Sequence, residues 1–157
     1  MRHSDFIVCI SENTKKDLCN FLPDIDERKV RVIYNGVSDD YCENDCNVED
    51  IGMPFSKNKY VVFVGSRVNY KNFELTVRSV AKTPYNLLIV GSQLADKESV
   101  FLKSVLPDRQ YYCTGFFKNK DLNTVYNNAA ALVYPSIYEG FGIPIIEAQK
   151  ACGQISL

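Results

Sequence analysis

Two carboxylates, Glu139 and Glu147, stand eight positions apart in the stretch Tyr134-Pro135-Ser136-Ile137-Tyr138-Glu139-Gly140-Phe141-Gly142-Ile143-Pro144-Ile145-Ile146-Glu147. An apolar strand, Ala131 to Tyr134, runs into Pro135. Pro144 suits the first turn of a helix, where its missing N–H costs nothing. Glu139 therefore falls in a loop after a strand, and Glu147 about one turn into the following helix. In open parallel sheets, ligands bind at this end of the strands. The first N–H groups of such a helix are unpaired and carry partial positive charge, which favours an anion such as phosphate. Gly140 and Gly142 let the backbone approach a ligand closely. The plainer alternative is that Glu147 only favours the helix dipole, since strand, glycine loop and helix also follow one another where nothing binds.

A second stretch carries cations: Gly65-Ser66-Arg67-Val68-Asn69-Tyr70-Lys71-Asn72. It follows the apolar run Tyr60 to Val64. It is neither a dinucleotide GxGxxG fingerprint nor a Walker A loop, which disfavours NAD or FAD. Arg67 and Lys71 just beyond a strand end could hold a diphosphate, Arg as a fork and Lys as a point charge. Either alone could simply reach solvent. Taken with the Gly-Phe-Gly loop on the same sheet edge, the pair favours phosphate.

The elements that must position these groups follow from periodicity. Phe6 to Ile10 reads as a buried strand. Ser11 or Thr14 can cap the next helix, which carries Leu18, Phe21 and Leu22 and stops at Pro23. Val30 to Tyr34 is a strand ending in the turn signal Asn35-Gly36. From Ser38 to Lys59 the text is polar and acidic and reads as a linker or mobile loop. A regular alternation then begins. Strands are expected at Tyr60–Val64, Asn86–Val90, Gln110–Thr114 and Ala131–Tyr134. Helices are expected near 72–82, 97–106, 121–130 and from Ile143, with Phe73, Val77, Val80, Leu102, Leu122, Val125 and Tyr126 facing inward. Continuous apolar strands between amphipathic helices mean an α/β fold, a Rossmann-like doubly wound parallel sheet.

Composition narrows the rest. With 157 residues the chain can bury a sizeable core. A net charge of −1 offers no field for nucleic acid. No apolar run approaches the length of a transmembrane segment, and Met1 to Asp5 carries no long apolar leader. The cysteines, Cys9, Cys19, Cys42, Cys46, Cys113 and Cys152, form no CxxC pair, and the sole histidine is His3, so a structural zinc is not expected. Free thiols in a reducing, cytoplasmic setting are the expectation, with Cys42 and Cys46 open to oxidation in their polar loop.

The motifs together resemble glycosyltransferase family 4, retaining enzymes of the GT-B fold, over nearly the whole chain. The matching residues are Ile10 to Leu18, Tyr34-Asn35-Gly36-Val37, Gly65-Ser66-Arg67 with Lys71-Asn72, Gly115-Phe116-Phe117 with Asp121-Leu122, and the E-x7-E motif from Glu139 to Glu147. The resemblance implies a division into 1–37, a remnant of an N-terminal domain; 38–59, a linker; and 60–157, a nucleotide-sugar donor domain. It implies transfer of a sugar from a nucleoside-diphosphate sugar to an acceptor hydroxyl with retention, in cell-surface glycan synthesis, without a metal or other cofactor. Arg67 and Lys71 would bind the diphosphate beside Gly65 and Ser66. The N–H groups of Phe141 and Gly142, next to Gly140, would assist. Glu139 would hold the donor sugar and stabilise its anomeric carbon, Glu147 would take the ribose hydroxyls, and Gly115 and Phe116 would line the base pocket. Arg67, Lys71 and Glu139 would be the catalytic groups. The acceptor, a glycan or lipid-linked sugar, would bind through an N-terminal domain that this chain largely lacks.

Two departures from the family pattern set further expectations. With most of the acceptor domain absent, the chain alone is expected to transfer little or no sugar. After Glu147 the usual Gly-x-Pro-Val is not matched, so the sheet is expected to lack its last strands and could self-associate through the exposed edge. The parent enzyme would be cytoplasmic, at most peripheral to the inner membrane face. Two other classes stay open: a non-catalytic nucleotide-binding module, and another GT-B enzyme such as a sugar-nucleotide epimerase or a phosphorylase.

Overall fold

The computed structural model describes residues 4–151 and 155–156. They group into two units, one of Met1–Val37 with Glu139–Ile143 and one of Ser38–Tyr138 with Pro144–Leu157.

In the first unit, β1 (Ile7–Cys9) and β2 (Val30–Val32) pair in parallel, joined by α1 (Glu12–Phe21). Of the two available caps the helix uses Ser11, whose Oγ accepts the Thr14 N–H at 3.1 Å. Leu22 ends the helix and Pro23 prevents its continuation. Cys9 and Val30 are buried, but Phe6, Val8, Phe21, Ile33 and Tyr34 are exposed. This corrects the expectation of a buried strand. Alternate strand residues face opposite sides, and within this unit one helix covers a two-stranded sheet on one side. Asn35-Gly36 carries no turn; the chain turns at Asp39-Asp40. An Asn-Gly signal serves a strand that reverses into an antiparallel neighbour, and the partner of β2 is the parallel β1.

The second unit is built on β3 (Tyr60–Val64), β4 (Asn86–Val90), β5 (Tyr111–Gly115), β6 (Ala131–Val133) and β7 (Ile155–Ser156). All pairings are parallel, in the order β5-β4-β3-β6-β7. The helices are α2 (Phe73–Val80), α3 (Asp96–Val105), α4 (Asn119–Asn128) and α5 (Ile143–Lys150). On one face of the sheet Val61, Phe63, Leu87 and Ile89 pack on Phe73, Val77 and Val80 of α2 and on Leu102 and Leu106 at α3. On the other, the Tyr60 hydroxyl donates to the Val125 carbonyl of α4 at 2.7 Å. Helices on both faces explain why β3 and β4 read as unbroken apolar runs. The strand order reverses between β3 and β6, which makes the gap between their C-terminal ends the switch point of the sheet.

Two expectations change here. The sheet does not stop at β6: Ile155 and Ser156 pair with Leu132 and Val133. Cys152 and Gly153 lie outside the described residues.

The stretch 38–59, expected as a linker or mobile loop, is packed along α4. Tyr41, Val48 and Phe55 are buried. A 3₁₀ turn at Val48–Ile51 closes on Gly52, whose φ of 75° needs a glycine. Asn119, Asn123 and Asn127 recur every fourth residue on one helix face. Asn123 and Asn127 accept the N–H groups of Cys42 and Asn44 at 3.1 and 3.0 Å through their Oδ1 atoms. The Nδ2 groups of Asn127 and Asn128 donate to the Cys42 and Cys46 carbonyls at 3.0 and 2.8 Å. Asparagine side chains thus complete the hydrogen bonds of an irregular backbone that would otherwise need water. Cys42 and Cys46 are exposed and free, as are the partly buried Cys19 and Cys113 and the buried Cys9.

Candidate functional site

At the switch point the loop after β3 is tied to the loop after β6. Lys71 Nζ donates to the Tyr134 hydroxyl at 3.2 Å, Asn72 Nδ2 to the Pro135 carbonyl at 2.8 Å, and the Ile137 N–H to the Tyr70 carbonyl at 2.8 Å. The Lys71 ammonium also lies 4.9 Å from the centre of the Tyr134 ring, a cation–π distance. Asn72 takes a left-handed conformation, φ 51°, which asparagine tolerates better than most residues. Thus Lys71 is placed where the sequence put it, beside the C-terminal ends of β3 and β6. The Ser136 hydroxyl, in the same loop, is buried without a hydrogen-bond partner.

Arg67 is engaged differently from the expectation. Its Nε and Nη2 donate to Glu98 Oε1 and Oε2 at 2.8 and 3.0 Å, a bidentate pair. Nη2 also donates to the Gln93 carbonyl at 2.8 Å, and the guanidinium lies 5.8 Å from the Phe73 ring centre. The side chain is 3% exposed, and its Nη1 is buried without a partner. Arg67 therefore lies along the wall formed by the loop after β4 and the start of α3. Glu98 also accepts the Ala95 N–H at 2.8 Å. The hydrogen bonds from Arg67, ahead of its charge, hold the Glu98 carboxyl below the usual carboxylate range. A cleft of about 350 Å³ opens beside this pair, between residues that include Asn72, Phe73 and Lys97.

Gly65, Gly91 and Gly115 end β3, β4 and β5 in a stepped lip. The Gly65 N–H donates to the Val90 carbonyl at 2.9 Å and the Gly91 N–H to the Gly115 carbonyl at 3.0 Å. A Cβ on Gly91 would stand 2.7 Å from the Gly65 carbonyl oxygen, so no other residue fits without moving backbone. Ser66 is exposed on this lip. Phe116, beyond Gly115, is 82% exposed, an unusual setting for phenylalanine, in the loop expected to line the base pocket.

The Glu139 to Ile143 segment groups with the first unit. A Cβ on Gly140 would lie 3.3 Å from Ile10 Cδ1 and 3.6 Å from Thr14 Oγ1, so the loop runs close against the start of α1. The Phe141 ring is 6.0 Å from that of Tyr34. Gly142 has φ 83° and precedes the first turn of α5, whose second residue is Pro144. Glu139 is partly buried.

Glu147 lies on α5 in the second unit. Its Oε2 accepts the hydroxyl of Tyr126, a residue 1% exposed, at 3.1 Å. The Tyr41 hydroxyl donates to Asn119 Oδ1 at 3.4 Å and feels the charge of the same carboxylate. Burial first, and the Glu147 charge second, push both phenols well above the usual tyrosine range. Both hydroxyls therefore stay protonated and serve as donors.

Tyr126 was expected only as a core residue, and Tyr41, Glu98 and Ser136 were not expected at a site at all. The Asp96–Glu98 start of α3 was legible as helix, but nothing marked Glu98 as the partner of Arg67, 31 residues earlier. Among the described residues no three His, Cys, Asp or Glu side chains gather as a metal site would need, and no helix is long and apolar enough to cross a membrane.

The family of glycosyl transferases group 1 matches residues 50–155. The chain belongs to that family. This group 1 chain is 33% identical over 143 residues to the O-antigen chain mannosyltransferase RfbU of Salmonella typhimurium, covering 88% of this chain and 38% of that protein. It is 25% identical over 168 residues to the serotype-specific mannosyltransferase WbdA of Escherichia coli, covering 98% of this chain and 20% of that one. Among solved structures it resembles WaaG, a glycosyltransferase involved in lipopolysaccharide biosynthesis, with a TM-score of 0.79 at 14% identity over 94% of this chain and 42% of that one. It also resembles HepE of Anabaena, solved with UDP and glucose, with a TM-score of 0.74 at 18% identity over 97% of this chain and 44% of that one. These likenesses establish the parallel α/β fold as that of GT-B glycosyltransferase domains. The group 1 chain spans well under half the length of these relatives.

Proposed function

We propose that this chain is the donor-binding part of a retaining glycosyltransferase that takes a nucleoside-diphosphate sugar and serves cell-surface glycan synthesis. The observation that carries the reading is the group 1 family match laid over a parallel sheet with Lys71 at its switch point. In this reading Lys71 neutralises the diphosphate as charge develops on the leaving group. Arg67 joins it once phosphate oxygens replace the Glu98 carboxylate on its fork. The amides of Phe141 and Gly142 add donors at the start of α5. Glu139 holds a hydroxyl of the donor sugar and stabilises its electron-poor anomeric carbon. Glu147 accepts the ribose hydroxyls, and Phe116 stacks on the base.

The bond from anomeric carbon to phosphate oxygen breaks as the acceptor oxygen attacks from the same face. The departing phosphate takes the acceptor proton, so configuration is retained and no protein base is required. The two glutamates are thus not the acid and nucleophile of a hydrolase, which would both address one sugar centre. The chemistry calls for no metal, and the acceptor, a glycan or lipid-linked sugar, meets the donor at the cytoplasmic face. Similarity to O-antigen mannosyltransferases supports that setting, and the UDP and glucose held by HepE support the donor class.

Calorimetric titration of the chain with UDP, GDP and ADP tests the reading. One diphosphate should bind, and Lys71→Ala and Glu147→Ala should each weaken it about tenfold or more, the loss of a charge-assisted contact. A folded chain that binds none of the three would refute the assignment.

A further inference from the structure

The segment from Ser38 to Cys46 does more than cover α4. It is fastened to two helices at once. Asn123, Asn127 and Asn128 of α4 hold its backbone at Cys42, Asn44 and Cys46. Lys150 of α5 donates to the Ser38 carbonyl at 3.1 Å and to Asp39 Oδ1 at 2.8 Å. Between these anchors Tyr41 turns inward, 2% exposed, with its ring 6.1 Å from that of Tyr126. The Tyr126 hydroxyl reaches Glu147, three residues before Lys150 on α5.

We propose that Tyr126 and Tyr41 are positioning residues that fix the Glu147 carboxylate for the ribose hydroxyls of the donor, and that the strap at 38–46 is therefore part of the donor site. The proposal rests on the donor-site reading above. A carboxylate offers about four acceptor positions over its two oxygens. The Tyr126 hydroxyl uses one. The remainder suffices for a ribose with free 2′ and 3′ hydroxyls. Tyr126 is buried and Tyr41 packs against its ring, so the hydroxyl that Glu147 accepts is held in place. Without them the glutamate is a flexible side chain that must be ordered when the nucleotide arrives, which weakens binding.

The test separates ribose recognition from general stability. UDP, GDP and ADP are titrated first, and the diphosphate that binds is then compared with its 2′-deoxy counterpart. The comparison is made in wild type, Tyr126→Phe, Tyr41→Phe and Glu147→Gln, each checked for folding by circular dichroism. Tyr126→Phe should weaken the ribonucleotide about tenfold, the typical loss of a hydrogen bond to a charged group. The deoxynucleotide should be weakened less, so the ratio of the two affinities falls towards that of Glu147→Gln. Tyr41→Phe should move the ratio the same way by a smaller factor, about threefold, because its O–H is held by Asn119 and its ring supports Tyr126 rather than Glu147 directly. An unchanged ratio in both phenylalanine variants, or equal weakening of both nucleotides, overturns the positioning role and leaves the donor site standing. A wild-type chain that binds none of the diphosphates, or binds one without regard to the 2′ hydroxyl, overturns the donor-site reading and this proposal with it.

Discussion

The two faces of the second unit's sheet are built on different principles. On one, Val61, Phe63, Leu87 and Ile89 meet α2 and α3 through apolar side chains alone. On the other, Val62 and Leu88 are buried as well, but polar contacts are added: Tyr60 hydrogen-bonds the backbone of α4, Tyr126 hydrogen-bonds Glu147, and asparagines bind the strap at 38–46. The first face gains its stability from area removed from water, which is insensitive to angle. The second spends stability on oriented polar contacts, which fix where particular atoms point. The chemistry-bearing Glu147 is on the second. The contrast suggests that rigidity in bulk and rigidity at a site are supplied from opposite sides of one sheet.

The largest effect should come from the apolar face. Leu102 is fully buried, and Leu102→Ala should cost roughly 2–5 kcal/mol. Urea unfolding would measure it, and the ratio of ribo- to deoxynucleotide affinity should not move. A changed ratio would mean that the faces are not separable. Asn123→Ala should cost less, about 1–2 kcal/mol, by stranding the Cys42 N–H. It should nevertheless disturb nucleotide binding more than Leu102→Ala does, and hydrogen exchange at the Cys42 amide should quicken. A strap that exchanges no faster in this variant would show that its asparagine ties are incidental.

The smallest effect concerns pH. Arg67 depresses the folded-state ionisation of Glu98 below its usual value of 4.5. A carboxylate whose pKa is lowered on folding contributes stability that is present above the unfolded value and lost as pH falls through the folded one. Wild type should therefore be more stable than Glu98→Gln above about pH 4.5, and the two should converge in more acidic solution. The Glu98 side chain is 27% exposed, so solvent screens the pair and the gap should be modest. Thermal melts across this range would check the sign.

What could be read from the sequence divides along the same line. β3 and β4 fall on the expected residues, and Phe73, Val77, Val80 and Leu102 are buried as their spacing implied. Burial by area leaves a periodic trace in a single chain. Oriented polar contacts leave none: the ties from the strap to α4 join residues more than 80 apart, and their asparagines look like ordinary surface residues. Tyr41, Val48 and Phe55 were hidden because they stand seven residues apart in a stretch dominated by polar and acidic residues. Arg67 was expected to face a diphosphate, but the carboxylate it pairs with lies on another helix, and sequence spacing cannot say which carboxylate a flexible side chain will find. Phe6 and Val8 err the other way: an apolar run promises burial only where a second layer exists to provide it.

The stepped lip of Gly65, Gly91 and Gly115 has a consequence for how such a surface can diversify. Because a methyl group at Gly91 would strike the Gly65 carbonyl, the middle step of the lip can present only backbone, and backbone is the same in every sequence. That step cannot be retuned by substitution to prefer one ligand over another. Any change of taste in a lineage carrying this lip has to be written in the side chains around it, such as Ser66 and Phe116, while Gly91 is inherited unaltered.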